Sequence, residues 1–381
     1  MSREPPVRGK RGPGALGLST RGRGAVVALI GSLAAPAKMA AMSAYALLLA
    51  PSANRVYADQ AARLAVAELA AFGAVLSGGL AVSEPERIGG VEYLTFEAEL
   101  SARDIAYVSN LSSAYALFER VDEELLRPLE ISPLARYDSD LITIPKYVGK
   151  TNEQFTKLVL NLTLLASASA ERMLDGHLTV LDPLCGRGTT LNQALMYGYD
   201  AVGVEIDGKD VEAYKLFLQT WLKRKRLKHT AELVPVRRQG RRAARRLEVT
   251  LAASKDDHKA GAVQKVTVVQ GDTTQLDGLI RGGVADVLVT DLPYGVAHAS
   301  YDEGGLSRRP LDLLERAVPQ WLPLLRPGAA LGLSWNTKVA RRELAEDILL
   351  ANDLEIVEHR PLEHRVDQGI ERDVVIARKL R

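Results

Sequence analysis

Four carboxylates, Asp182, Glu205, Asp272 and Asp291, each fall where a short apolar run ends. The richest context is Val180-Leu-Asp-Pro-Leu-Cys-Gly-Arg-Gly-Thr-Thr-Leu191, an apolar run that enters a Gly-rich turn and leaves as a helix. Gly186 and Gly188 let the backbone approach a ligand at angles other residues resist. A dinucleotide fingerprint requires a third glycine three residues further on, where this chain has Leu191. A carboxylate at Asp182 would also repel a pyrophosphate, so a nicotinamide oxidoreductase fits poorly. Asp182 suits a positively charged ligand such as S-adenosylmethionine, with its ammonium and sulfonium groups. Glu205 ends the next run, where a carboxylate grips ribose hydroxyls. Asp272, after the third run, can accept from an adenine amino group. Thr189, Ile206 and Thr273 adjoin these positions and complete the candidate cofactor set. Cys185 is the only cysteine; with no histidine partner evident, it reads as packing within the turn rather than a nucleophile. Alone, each Asp or Glu would be a helix cap or a solvated turn. Four in a row at strand ends point to a site.

Those carboxylates need a scaffold that brings strand ends together. Residues 153–174 read as an amphipathic helix, 178–182 as a strand, 189–197 as a helix and 201–204 as a strand. A helix over 210–228 follows, then strands over 265–270 and 285–290, a helix over 311–325 stopped by Pro327-Gly328, and strands over 329–335, 355–363 and 373–378. Strands alternating with helices predict an α/β fold with a doubly wound, mostly parallel sheet. In such sheets the ligand lies beyond the carboxyl ends of the strands. Before this half, 45–49, 74–82 and 91–100 read as strands, with helices over 56–72 and 102–120. That order is most of a ferredoxin-like α+β unit. The predicted organisation is an extension over 1–42, a ferredoxin-like domain over 43–127, a linker over 128–145 containing Pro128, Pro133 and Pro145, and the catalytic domain over 146–381.

Composition narrows the classes. The chain has 381 residues and 47% apolar content, enough for a sizeable core. One cysteine excludes a disulfide framework and a cysteine-rich zinc site, and suits a reducing cytoplasm. Net charge is only +2, so a nucleic-acid footprint has to be local. Such a patch exists within an insertion over 223–262: Lys223-Arg-Lys-Arg226, Arg237, Arg238, Arg241, Arg242, Arg245 and Arg246. Only Glu232 and Glu248 offer acidity before Asp256, so the stretch reads as suited to binding phosphates, with a solvated helix face or loop as the plain alternative. Residues 1–42 are Arg/Gly/Pro-rich and then briefly apolar. They read as an extension upstream of a start at Met39 or Met42, with a disordered tail or an export signal as alternatives. The apolar run there is too short to span a membrane.

Two segments carry a family resemblance. Asp182-Pro-Leu-Cys-Gly-Arg-Gly-Thr-Thr190 resembles the first motif of S-adenosylmethionine-dependent amino-methyltransferases of class I, typically Asp-Pro-Phe-Cys-Gly-Ser-Gly-Thr. Lys146-Tyr-Val-Gly-Lys-Thr-Asn152 more loosely resembles the segment that covers the cofactor's methionine end. Thr290-Asp-Leu-Pro-Tyr-Gly295 resembles the Asp/Asn-Pro-Pro-Tyr motif of enzymes that methylate adenine N6, cytosine N4 or guanine N2. The resemblance implies that Asp291 and the backbone carbonyl of Leu292 accept hydrogen bonds from an exocyclic amine, that Pro293 stiffens the turn, and that Tyr294 stacks on the base. Leu292 replaces the commoner proline, but the role needs only a main-chain carbonyl. The whole arrangement resembles the archaeal and eukaryotic tRNA guanine-N2 methyltransferases that act on the D-stem guanosine (guanosine-10 type). It implies RNA, tRNA first, as partner and leaves room for a small activator subunit. One departure stands out: 43–145 is too short for both a ferredoxin-like unit and the RNA-binding THUMP domain usual in that family. The alternatives are a DNA adenine-N6 or cytosine-N4 methyltransferase and a non-catalytic RNA-binding subunit of the same fold.

Overall fold

A computed structural model describes residues 42–380 apart from 53, 123–124, 148, 239–240 and 294–309; the side chains of 238 and 241–243 are likewise outside the description. The expectations for residues 1–41, for Tyr294 and for the side chains of Arg238, Arg241 and Arg242 therefore lie outside the described residues.

The chain opens with β1 (Ser43–Leu49), α1 (Arg55–Phe72), β2 (Leu80–Val82), β3 (Glu86–Ile88), β4 (Val91–Ala98), α2 (Ala102–Val108), β5 (Ala114–Arg120) and β6 (Leu126–Leu129). The sheet order is β2-β4-β1-β5-β6, antiparallel throughout, with β3 paired to β4. Leaving out β3 and β6, two strand-helix-strand units interleave around β1, which is the ferredoxin-like arrangement. Leu47, Leu94, Phe96 and Leu117 form one core with Leu64, Leu69 and Phe72 of α1.

The helix expected over 102–120 stops at Val108. Ser109 Oγ joins its own N–H on the Ile105 carbonyl, and Asn110 Nδ2 takes the Ala106 carbonyl while the Asn110 N–H turns to the Tyr107 carbonyl, which ends the helix. The alternating residues that follow pair with β1 as a strand. The strand expected over 74–82 shrinks to Leu80–Val82, because Ser77-Gly78-Gly79 favours a turn and the Ser77 N–H is held by Asp104.

The second part runs α3 (Asp140–Thr143), α4 (Glu153–Ala166), β7 (Thr179–Asp182), α5 (Thr189–Met196), β8 (Asp200–Glu205), α6 (Gly208–Arg224), β9 (His229–Arg238), β10 (Arg241–Leu251), α7 (Lys255–Ala260), β11 (Gln264–Gln270), β12 (Ala285–Asp291), α8 (Pro310–Trp321), β13 (Leu325–Asn336), α9 (Arg342–Leu350), β14 (Leu354–Ile356), β15 (His364–Arg365) and β16 (Glu371–Lys379). The order is β14-β16-β13-β12-β7-β8-β11-β10-β9, with β15 on β16. The five central strands are parallel to one another, and β16 is antiparallel to β13. The expected doubly wound, mostly parallel sheet is present. The chain order reverses between β7 and β12, and the crevice that binds ligands opens there.

The basic stretch divides: Lys223 and Arg224 close α6, whereas Arg237 and Arg238 lie on β9 and Arg241, Arg242, Arg245 and Arg246 on β10, a hairpin that extends the sheet antiparallel to β11. Leu247, Val249 and Leu251 are buried in the same core as α6. Their period of two, with Glu248 and Thr250 between them, spans only five residues directly behind the arginines.

A buried polar cluster fastens α1 to α4. Glu68, fully buried, accepts from the Ser112 N–H at 2.9 Å, the Ser112 hydroxyl at 2.6 Å and Asn161 Nδ2 at 2.6 Å. Tyr197 donates to Asn161 Oδ1 at 2.7 Å. Burial raises the Glu68 pKa, and the donors from Ser112 and Asn161 pull it back. Removing the carboxylate leaves those donors buried without an acceptor, a cost of about 1–3 kcal/mol. Glu68→Ala should therefore lower the denaturation midpoint of the full chain; an unchanged midpoint would contradict a fastening role for this cluster.

Candidate active site

The turn after β7 is shaped by its neighbours. Gly188, at φ +80°, caps α5, and a Cβ there would run into the Tyr214 ring. Gly186, at φ +50°, turns its N–H onto Glu205 Oε2 at 2.9 Å. The other oxygen of Glu205 accepts from the Asp207 N–H at 2.7 Å. Strand β8 thus offers a carboxylate already oriented by two backbone donors. Cys185 is buried, its N–H bonded to the Val204 carbonyl at 2.9 Å. Burial first, then Asp182 and Glu205, push its thiol well above the ordinary range. That is a packing cysteine, as the sequence suggests.

Asp182 is 4% exposed at the end of β7. It accepts from Thr290 Oγ1 at 2.8 Å and from the Leu184 N–H at 3.1 Å. The first of these bonds ties the end of β7 to the penultimate residue of β12. Burial pushes Asp182 up to about 6, partly offset by hydrogen bonds from Thr290 and Thr190 and from the Leu184 N–H. Burial likewise pushes Glu205 up to about 7, with Asp210 and Asp182 adding to it. The basic side chain of this turn, Arg187, is engaged by Asp210 at 2.7 Å. Buried carboxylates raised in this way suit a ligand that brings positive charge and hydroxyl donors.

Asp291 ends β12 and is held from three elements. Ser334 on β13 donates its hydroxyl at 2.6 Å, Thr151 donates at 2.9 Å, and Arg372 on β16 forms an ion pair at 3.2 Å. The Ser334 carbonyl accepts the Leu292 N–H at 2.8 Å, and Leu292 is buried, so the main chain is anchored where the motif turns. Pro293 is half-buried. Thr151 lies in the 146–152 segment, and Tyr147 of the same segment bonds Thr189 Oγ1 at 2.6 Å. One short segment therefore touches both the Gly-rich turn and the Asp291 motif.

The remaining candidates sort differently. Ile206 is 42% exposed beside Glu205. Asp272 folds back on itself, accepting from Thr274 N–H and Oγ1, both at 2.8 Å. Thr273 is buried and accepts the Trp321 indole N–H at 2.8 Å, which docks α8. On the hairpin, Arg237 is exposed, but Arg245 pairs with Glu212 at 2.8 Å and Arg246 with Glu248 at 2.7 Å. The expectation that little neutralises the stretch is corrected for these two arginines: α6 and the strand itself supply the carboxylates. Tyr147, Thr151, Ser334 and Arg372 were absent from the sequence-derived set. The first two sit in a segment the resemblance had marked, whereas no local signal marks the others.

Among the described residues, no group of His, Cys, Asp and Glu could hold a metal ion, and no helix is long and apolar enough to cross a membrane.

The sheet order and the site define a class I methyltransferase fold, whose methyl donor is S-adenosylmethionine. Residues 163–324 match the family model UPF0020, described as RMKL-like, methyltransferase domain, which covers less than half of the chain. No curated protein matches the sequence. Among solved structures, TYW2 of Pyrococcus horikoshii in complex with MeSAdo is similar at 12% identity and TM-score 0.31, over 54% of this chain and 58% of that one. An rRNA methylase from Streptococcus thermophilus is similar at 12% identity and TM-score 0.32, over 55% and 92%. The magnesium protoporphyrin IX methyltransferase of Synechocystis with bound SAM is similar at 16% identity and TM-score 0.35, over 61% and 86%. The chain thus spans less than two thirds of the length of the TYW2 it matches.

The raised carboxylates give a pH prediction. A cationic ligand with ribose hydroxyls favours the ionised forms of Asp182 and Glu205, so binding releases protons near neutrality. S-adenosylmethionine affinity should fall about tenfold between about pH 7.5 and pH 6. Calorimetry in two buffers of different ionisation heat checks this; flat affinity with no proton release would contradict the assigned ligands.

Proposed function

We propose that this protein transfers a methyl group from S-adenosylmethionine to an exocyclic amino group of a nucleic-acid base, guanine N2 in tRNA being the first choice. The observation that carries the reading is the placement of Asp291 at the reversal of strand order. One hydroxyl, that of Thr290, links its strand to the cofactor carboxylate Asp182. Two further supports are the likeness of the 290–295 motif to amino-methyltransferases and the exposed Arg237 on a hairpin at the sheet's edge.

Asp182 and Glu205 would hold the cofactor, Asp182 toward its cationic end and Glu205 at the ribose, with Gly186 and Gly188 allowing close approach and Asp272 near the adenine. When bound, the cofactor supplies an electrophilic methyl group on positively charged sulfur. An exocyclic amine is a poor nucleophile because its lone pair is delocalised into the ring. Asp291 accepts one amine N–H and the Leu292 carbonyl accepts the other, which favours a more tetrahedral nitrogen with its lone pair directed at the methyl group. Tyr294 stacks on the base, an interaction worth about 1–3 kcal/mol. Most of the acceleration comes from alignment, up to about 7–11 kcal/mol in favourable cases. We assign residues 43–127 and 146–381 as the two functional domains, with 128–145 between them, and infer a cytoplasmic setting from the single buried cysteine.

Asp291→Ala should slow methyl transfer at least about 100-fold while cofactor affinity changes by less than about threefold. Wild-type turnover in that variant would remove Asp291 from the chemistry. On the RNA side, replacing Arg237, Arg241 and Arg242 by alanine should weaken RNA binding and flatten its salt dependence by about one unit of slope for each phosphate no longer neutralised. Replacing Arg245 and Arg246 should do less, because each is partnered by a glutamate. An equal effect of the two sets would contradict this assignment of the phosphate-binding arginines.

A further inference from the structure

We propose that Arg372 is a positioning residue for Asp291, and that helix α1 of the N-terminal unit keeps it in place through residues 361–365. The proposal rests on the reading that Asp291 meets the substrate amine, and it assigns the N-terminal unit a part in catalysis.

Arg372 lies 81 residues from Asp291 in the chain and is brought to it by the sheet. Ser334 stands opposite Asp291, and Asn336, two residues on, stands opposite Arg372. The guanidinium therefore reaches past the end of β13 to make the 3.2 Å ion pair. Its side chain is only 4% exposed, so it is walled off from bulk solvent. A guanidinium has donors and no acceptor and does not lose its proton at ordinary pH, which rules it out as an acid or base. What it can do is fix the direction and charge of a carboxylate.

A buried guanidinium needs support, and the structure supplies it from one side. Its carbon sits 4.6 Å from the centroid of the Phe155 ring on α4. His364, the cross-strand partner of Arg372 on β15, packs on the same ring at 4.8 Å. Burial pushes His364 down to about 4, so the imidazole is neutral and places no second cation beside Arg372. Tyr57 of α1 meets His364 edge-on at 6.1 Å. Arg63 of α1 donates to the Pro361 carbonyl at 2.9 Å and also to the Glu363 carbonyl. The line from α1 to Asp291 is thus continuous: Arg63 and Tyr57 hold the loop and His364, His364 and Phe155 seat Arg372, and Arg372 holds the carboxylate.

The test combines crystal structures with kinetics on the full chain. Crystals of the Arg372→Ala and Arg63→Ala variants should show the Asp291 carboxylate turned away from Thr151 and Ser334, fully in the first and partly in the second. With unmodified tRNA transcripts as substrate, Arg372→Ala should lower kcat about 10- to 100-fold, with KM and cofactor affinity within about threefold. Arg372→Lys should recover part of the loss, added guanidinium should recover part of the Arg372→Ala loss, and Arg63→Ala should lower kcat by a smaller factor. In an Asp291→Asn background the Arg372→Ala substitution should have little further effect, because the two act as one unit. An Asp291 carboxylate unmoved in both crystals overturns the proposal, and so does wild-type kcat in both variants alongside a slow Asp291→Asn. Wild-type kcat in Asp291→Asn overturns the functional reading instead. If Arg372→Ala does not fold, Arg372→Lys and the exposed Arg63→Ala still decide the question.

Discussion

The parallel pairing of β7 with β12 is the constraint on which everything else depends. The chain order reverses there, so the connections leave in opposite directions and a crevice opens above the two strands. Asp182 ends one strand and Asp291 the other, and the Thr290–Asp182 hydrogen bond, at 2.8 Å, keeps the two ends in register. Below it, Val180 and Leu181 pair with Val287 and Leu288, all fully buried. A shift of that pairing by one residue would turn each carboxylate toward the opposite face of the sheet.

Around this point carboxylates gather, and of Asp182, Glu205 and Asp210 only Asp210 has an ion pair among the described residues, with Arg187. The three approach one another, and the carboxylates at the centre are pushed up by burial. Stability alone does not favour such an arrangement, which suits a site that awaits a cation. Asp291 is treated differently, being paired with Arg372 and held by two hydroxyls. The two halves of the crevice thus have distinct electrostatics, which on the proposed reading fit one to a charged donor and the other to a fixed acceptor. The N-terminal unit is fastened to the same region through Glu68 and Asn161, the latter on the helix that carries Phe155.

Much of this was legible in the sequence because it is local. The Gly-rich turn, the carboxylates at strand ends and the alternation of strands and helices are all short-range patterns. The sheet that carries Asp182, Glu205 and Asp291 has the arrangement they predict. The failures share a cause too. Ser109 and Asn110 carry side chains that bind the last carbonyls of a helix, a competition that composition only hints at. The hairpin's apolar period is only the short run 247–251 behind a block of arginines, and the pairing of Arg245 with Glu212 joins positions on separate elements. Arg372, Ser334 and Thr151 come to Asp291 from three distant stretches. Only the fold makes them neighbours: the 146–152 segment of Thr151 carries a loose resemblance, and nothing in the surroundings of Ser334 and Arg372 singles those two out.

The most direct test of the central claim is methyl transfer from labelled S-adenosylmethionine to bulk tRNA, followed by mass spectrometry of the nucleosides. The account predicts label on an exocyclic amine, with N2-methylguanosine rising. Label on a ring nitrogen, a ribose hydroxyl or a carbon, with none on an exocyclic amine, would contradict it.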